Sequence, residues 1–424
     1  MSLRGISLGC VPAESYLFTV AALIVLAVIA ILLVGSARPD ADLNAVDDQR
    51  SSKDGRQAYL DNAKFLAMVL VVTGHLASMV ESIGKQEFGR DLCPSTAVQK
   101  ALFLHMPLFC LTSGAASSGA LTRPRLERLV VSAVGPVLVL TMCAALVADI
   151  DVFKFLFNVA QIDPLWYLRC LVVWRLSLPL LEVFPAGMQV AIALAIGICV
   201  AYTDEDREGS LSVHAGFFLP YFVLGRHLDW EQLVLMAPRA LPKRLLLGWA
   251  AFLSLVALYI EDELEWDRLF LSLETWPDLG TGLRPLLAPD CPADALFLWA
   301  RYTAALGLRG GMALFFFLWC VPHRPVFFTP NGARTLYVYC LHVPALLYCI
   351  APFKEMALSS SWDRGDQKSL ELCHRGLVMA LKWLLFSFLC TYMLSSRCCC
   401  AVFWVVVEPS WILCKCRRRR EKQD

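Results

Sequence analysis

The chain carries little charge and no excess of either sign: 18% of its 424 residues are Asp, Glu, Lys or Arg, and the formal net charge is +1. That balance excludes a global attraction to nucleic acid, and no basic region interleaved with aromatics occurs outside the extreme C-terminus. The seventeen cysteines include no CxxC pair and no Cys/His spacing suited to zinc, so no metal site is expected. Most of them, such as Cys110, Cys143, Cys170, Cys320 and Cys340, fall inside apolar segments and read as small buried hydrophobes. No polar stretch is long enough to fold as a separate soluble domain, and no repeat of fixed period is visible.

What is present is apolar sequence in long blocks, 58% of the chain. A soluble protein would need nearly all of them as core helices of one very large domain, so the composition implies an all-α polytopic membrane protein. Stretches of roughly 17 to 25 apolar residues fall near 16–35, 58–80, 100–119, 128–148, 164–182, 186–202, 212–228, 244–260, 298–320, 334–352 and 376–396. The expectation is a bundle of about ten helices plus one extra N-terminal transmembrane helix. Residues 1–36 would hold that first helix, whose apolar run exceeds a usual signal-peptide core and so reads as an uncleaved anchor. Residues 37–57 form a polar linker without a core of its own, 58–396 the membrane domain, and 397–424 an interfacial Cys-rich and basic tail.

Charge in the connectors alternates in step with these spans. "LTRPRLERLV", "GRHLDWEQLVLMAPRALPKR", "VPHRP" and "KCRRRREK" are basic, whereas "ADIDVF", "TDEDREGS" and "IEDELEWD" are acidic. The basic connectors then all fall on one side, which the positive-inside rule makes cytoplasmic together with the C-terminus, in an endomembrane or plasma membrane. The loop 261–297, with Trp266 and Trp276, is long enough to fold over the opposite mouth. Cys93, Cys291 and Cys373 share that side and allow one disulfide. Cys398, Cys399, Cys400, Cys414 and Cys416 lie beside Arg417 to Arg420 just past the last long span, as S-acylation sites or as unmodified interfacial thiols.

The segment "YLDNAKFLAMVLVVTGHLASMV" (59–80) holds Asp61, Lys64 and His75 inside a membrane-length run. Lys64 and His75 are eleven residues apart, so they share nearly one helical face about 16 Å apart along the axis. Ionisable groups in such a position face a protein interior or an aqueous cavity. The next segment has His105 close to Pro107, where a kink or local opening is expected, followed by Thr112, Ser113 and Gly114. Arg125 and Arg128, one turn apart and near the Lys64 end, suit a phosphate clamp.

"YLDNAKFLAMVLVVTGH", "HMPLFCLTSG", "RLER", "DPLWYLRCLVVWRL", "FFLPYFVLGRHL" and "FFTPNGARTLYVYCLHVPALL" resemble, in order and spacing, the integral-membrane acyltransferases of acyltransferase family 3, particularly the branch similar to fucose 4-O-acetylases. The resemblance covers about residues 56–396. It implies transfer of an acyl group, usually acetyl, from cytoplasmic acyl-coenzyme A to a hydroxyl of a carbohydrate or related acceptor. The family's signature of a basic residue ahead of a histidine resembles Lys64 and His75, with lysine where arginine is usual, which loses bidentate phosphate recognition. Its paired arginines match Arg125 and Arg128.

On that reading His75 is the general base, because a neutral imidazole suits removal of a hydroxyl proton. Lys64, Arg125 and Arg128 would hold the coenzyme A phosphates. The oxyanion is left to His105, Ser113 or a backbone amide near Pro107. Trp166, Tyr167, Tyr337 and His342 would contact the acceptor. Two rivals stand beside the enzyme: a transporter or flippase of a sugar-linked or anionic molecule, and a catalytically silent scaffold.

Overall fold

The computed structural model describes residues 49–88, 105–117, 122–148, 165–201, 211–230, 232, 244–252, 306–307, 309–358 and 369–408. Among them every regular element is a helix and none is a strand. The order is α1 (Gln49–Phe88), α2 (His105–Ala116), α3 (Arg123–Leu129) running through a π-helical turn (Val130–Val134) into α4 (Gly135–Ala148), α5 (Trp166–Leu181), α6 (Ala186–Ala201) and α7 (Leu211–His227). After a helical segment at 244–252 come α8 (Arg309–Cys320), the single turn α9 (Thr329–Gly332), α10 (Thr335–Leu358), α11 (Ser369–Leu394) and α12 (Arg397–Val407).

Helix α1 is the axis of the bundle. Its stretch Ala58–Val80 is 23 residues long and apolar enough to cross a membrane, yet Tyr59, Phe65, Met68, Leu70 and Val72 expose no surface. Helices α2, α9, α10 and α11 pack around it. A membrane helix screened from lipid on all sides tolerates polar groups that a lipid-facing one would not. The outer faces of the surrounding helices are apolar instead, with Leu176, Leu180 and Met188 on α5 and α6 and Leu385, Leu389 and Met393 on α11 exposed.

Close approach of backbones sets the crossing of α2 with α7. A side-chain carbon at Gly114 would overlap the Phe222 carbonyl, and one at Gly225 the Leu111 carbonyl. With little hydrophobic drive between helices in lipid, packing of small residues at this contact holds the pair together. Trp174 Nε1 adds a tie from α5 by donating to the Ala215 carbonyl of α7 at 2.7 Å.

One end of the bundle is locked by buried polar groups. Asn62 Nδ2 donates to the carbonyls of Pro322 (2.9 Å) and Arg324 (3.0 Å), and Thr329 Oγ1 donates to Asn62 Oδ1 at 2.6 Å. Asn331 Nδ2 reaches Ser395 Oγ (2.9 Å) and the Tyr392 carbonyl (3.1 Å) at the end of α11. Asn331 and Gly332 thus end the single turn α9 ahead of α10. Buried Arg244 caps the end of α8, donating to the carbonyls of Leu318 (3.0 Å) and Val321 (2.6 Å) and to His323. These bonds satisfy helix-end carbonyls that would otherwise be orphaned.

The described residues bear on three expectations. The linker was read as polar and coreless to residue 57, but α1 begins at Gln49; once the membrane part nucleates a helix, adding residues outward is cheap. Pro107 falls in the first turn of the described α2, and the helix runs unbroken from there to Ala116. Among the described residues, Ala58–Val80 is the one straight helix that passes as a membrane span by length and composition, and α11 with α12 forms one bent pair. Helix α6, helix α8 and the first half of α10 are apolar but shorter. The expected first span at 16–35, the acidic connectors, the loop 261–297 and the side chains of Cys93, Cys291 and Cys373 lie outside the described residues.

Candidate active site

Three histidines far apart in sequence meet beside α1. The rings of His75 on α1 and His342 on α10 lie 4.9 Å apart between centroids, tilted by 51°. His105, at the start of α2, packs over the α1 backbone next to His75: a side-chain carbon at Gly74 would stand 3.5 Å from its Cε1. It also falls within electrostatic range of His342.

His342 has a defined tautomer. Its Nδ1 lies 2.8 Å from the Tyr339 carbonyl and 3.1 Å from the Val338 carbonyl. Carbonyl oxygens only accept, so Nδ1 carries the proton and Nε2 presents a lone pair. The side chain is fully buried and Nε2 has no hydrogen-bond partner. A buried acceptor left open against a half-buried imidazole is an unusual expense in a fold. Among the described residues no group of three or more His, Cys, Asp or Glu side chains is placed to hold a metal ion.

A second network adjoins the first. Tyr167 Oη donates to the Phe109 carbonyl at 3.1 Å, so its hydrogen bond with Ser113 must run from Ser113 Oγ to Tyr167 Oη. Tyr339 Oη accepts from the Tyr167 backbone N–H at 3.2 Å, and its ring stands 6.0 Å from that of His342. Trp166 turns to α7 instead and packs on His214 at 4.9 Å and Phe218 at 5.5 Å. Thr112 returns its hydroxyl to the carbonyls of Leu108 and Phe109, both at 3.0 Å, inside its own helix. Tyr337 is not part of this assembly. It is buried on another face of α10, within electrostatic range of Cys399, Cys400 and Glu408 of the C-terminal helix.

The basic groups gather at the opposite end of the helices from the histidines. Arg125, half-buried, and Arg128, exposed, sit on the short helix α3, which leads into the π-helical turn at Val130, a device that recurs at functional sites. Arg175 of α5 lies within electrostatic range of Arg125, Arg128 and Arg226, and Glu182 pairs with Arg226. Glu127 is taken up by Arg123 on α3 at 3.0 Å, so the patch is net cationic. Lys64 makes a local ion pair with Asp61 at 3.0 Å where α9 presses against α1. It stands eleven residues, roughly 16 Å, from His75 along the helix. No described bond links Lys64 with the Arg125/Arg128 pair.

A family model describing an acyltransferase domain matches residues 57–405. The chain belongs to acyltransferase family 3. The match spans α1 to α12 and takes in the histidines, the tyrosine network and the arginine patch alike. No curated protein and no solved structure matches the chain. The protein is therefore an acyltransferase of a membrane-integral family, and the transporter and silent-scaffold readings fall away. In an acyltransferase the groups overlooked by sequence gain meaning. Tyr339, rather than Tyr337, joins the tyrosines to His342. Arg175 was legible as an ionisable residue inside an apolar run. Nothing in sequence marked the pairing of Asn62 with the 322–329 segment.

Proposed function

We propose that this acyltransferase moves an acyl group, acetyl in the first instance, from acyl-coenzyme A to a hydroxyl of a carbohydrate or related acceptor, as in the fucose 4-O-acetylase-like branch that the sequence resembles. The observation that carries the chemistry is the half-buried His75 facing a partner imidazole of fixed tautomer. His75 removes the acceptor's proton, and the freed oxygen attacks the thioester carbonyl. The tetrahedral adduct collapses, the carbon–sulfur bond breaks, and the leaving thiolate takes the proton back from His75. The Nε2 lone pair of His342 accepts an N–H of His75 when the imidazole becomes cationic, which stabilises that charge and aims the other nitrogen at the acceptor.

His105 is the better placed of the two side-chain candidates for the oxyanion, since the Ser113 proton is already given to Tyr167. Ser113 and Tyr167 then hold the wall that Tyr339 and Trp166 continue toward the acceptor. Arg125, Arg128, Arg175 and Arg226 suit the phosphates and diphosphate of coenzyme A by forked, charge-assisted hydrogen bonds. Lys64, ion-paired with Asp61 at 3.0 Å, supplies the basic group on α1 itself, roughly 16 Å along the helix from the base. The basic end is the cytoplasmic end of a multi-pass protein by the positive-inside rule.

The test is incubation of detergent-purified protein with radiolabelled acetyl-coenzyme A and a panel of sugars. Base-labile label on a sugar supports the reading. It is overturned if wild type binds acetyl-coenzyme A no better than Arg128→Ala and labels no member of the panel.

A further inference from the structure

The acyl-transfer site leaves α12 without a role, although it is a well-formed helix. Ser396 caps it by accepting from the Cys399 backbone N–H at 3.3 Å, and Val407, wholly buried, fixes its far end. Helix α12 packs on α10 and α4. It departs from the last part of α11 (Leu381–Leu394) at 71°, so where α11 crosses a bilayer steeply, α12 runs close to the membrane plane. With 11 residues it is too short to span.

Its surface fits that orientation. Cys398, Val402 and Val405 fall at i, i+4 and i+7, on one face. Cys398 is exposed, and Val402 and Val405 are 69% and 44% exposed. Phe403 and Trp404 widen the apolar band. The outward face of α11 also carries exposed apolar side chains, Leu389 and Met393, up to the bend that leads into α12. Exposed Arg397 starts the helix, and Arg417 to Arg420 follow it in sequence; both suit anionic headgroups. Cys399 and Cys400 are half-buried, within electrostatic range of Tyr337 of α10.

We propose that α12 lies in the headgroup layer at the basic end of the bundle and that Cys398, at the head of its apolar stripe, is S-acylated by a long-chain fatty acyl group. The donor is a long-chain acyl-coenzyme A thioester. The Cys398 sulfur attacks the thioester carbonyl, a new carbon–sulfur bond forms, the bond to coenzyme A breaks, and the cysteine proton leaves with the coenzyme A thiol. No oxidant or reductant enters. Helical side chains lean toward the N-terminus, so the attached chain enters the bilayer beside Val402 and Val405. The modification is independent of the His75 centre and does not rest on the acceptor assigned above.

The full chain, expressed in eukaryotic cells fed alkynyl palmitate, is purified, coupled to a fluorophore and treated with neutral hydroxylamine. Wild type is expected to carry hydroxylamine-labile label, and Cys398→Ser to lose at least about two-thirds of it. Because Cys398 is exposed, that change leaves the fold intact, and monodisperse elution verifies this. Val402→Asp with Val405→Asp, which keeps every cysteine but takes the stripe out of lipid, is expected to lose label to a similar degree. Absence of labile label on wild type, or full label on Cys398→Ser, overturns the site. Full label on the double aspartate variant overturns the membrane placement of α12.

Discussion

His75 and His342, separated by 267 positions in the chain, stand with their rings 4.9 Å apart. Backbone carbonyls fix the proton of His342 on Nδ1, and its free nitrogen is left buried without a partner. On the proposed mechanism this relationship makes His342 a positioning residue for His75. Asparagine at 342 keeps a donor where Nδ1–H is and removes the Nε2 acceptor. We expect His342→Asn to elute as a folded protein, to lower kcat by about 10-fold to 100-fold, the order of a lost charge-assisted hydrogen bond, and to leave the KM for acyl-coenzyme A unchanged. A rise in donor KM with kcat intact would place His342 in the donor site instead.

The arginine patch predicts the opposite split. On the proposed donor site, removing Arg128 or Arg175 takes away a charge-assisted contact to phosphate, worth about 1.5–3 kcal/mol. Arg128→Ala and Arg175→Ala should each raise the donor KM about 10-fold or more and spare kcat at saturation. Dephospho analogues of coenzyme A offer the check: a 3′-dephospho donor should narrow the gap between wild type and whichever arginine contacts that phosphate.

Gly225 bears on the scaffold alone. An added methyl there would overlap the Leu111 carbonyl across the α2–α7 crossing, and both helices would have to part. Gly225→Ala should destabilise the protein by about 1–3 kcal/mol, read as a lower melting temperature in detergent. The same substitution at Gly187, around which nothing lies within 4 Å, should leave the melting temperature in place.

His323 gives the structure a pH dependence outside the membrane helices. It accepts a hydrogen bond from Arg244, and burial, with the Arg244 charge adding to it, pushes its pKa down to about 4. The unfolded chain therefore binds the proton more readily than the folded one. Stability is full above the ordinary histidine range and falls as pH drops from there toward about 4. His323→Gln should flatten this part of the melting-temperature profile; an unchanged profile would assign the acid sensitivity to other groups.

Much of the centre was legible in sequence, and the reasons differ by residue. His75 and Lys64 were readable because helical periodicity alone puts them on one stripe. The partnership of His75 with His342 was not, since packing of α10 on α1 is long-range information. Tyr337 was taken as a wall of the acceptor site, yet positions two apart on a helix point about 200° apart, and it is Tyr339 that joins Tyr167 and His342. Arg175 was overlooked because one arginine inside an apolar run does not say what it faces, and only its approach to Arg125, Arg128 and Arg226 makes it part of a patch. The helical start at Gln49 was missed because composition reports a lack of core, not the ease with which an existing helix extends.

The most direct test of the central claim compares acyl transfer by wild type and His75→Ala, using acetyl-coenzyme A and whichever sugar the wild-type enzyme labels, with donor binding measured in parallel. The predicted result is a fall in transfer of about 10²-fold to 10⁴-fold, with donor affinity held within about twofold. Transfer by His75→Ala at the wild-type rate would contradict the account, and the base would have to be sought elsewhere in the bundle.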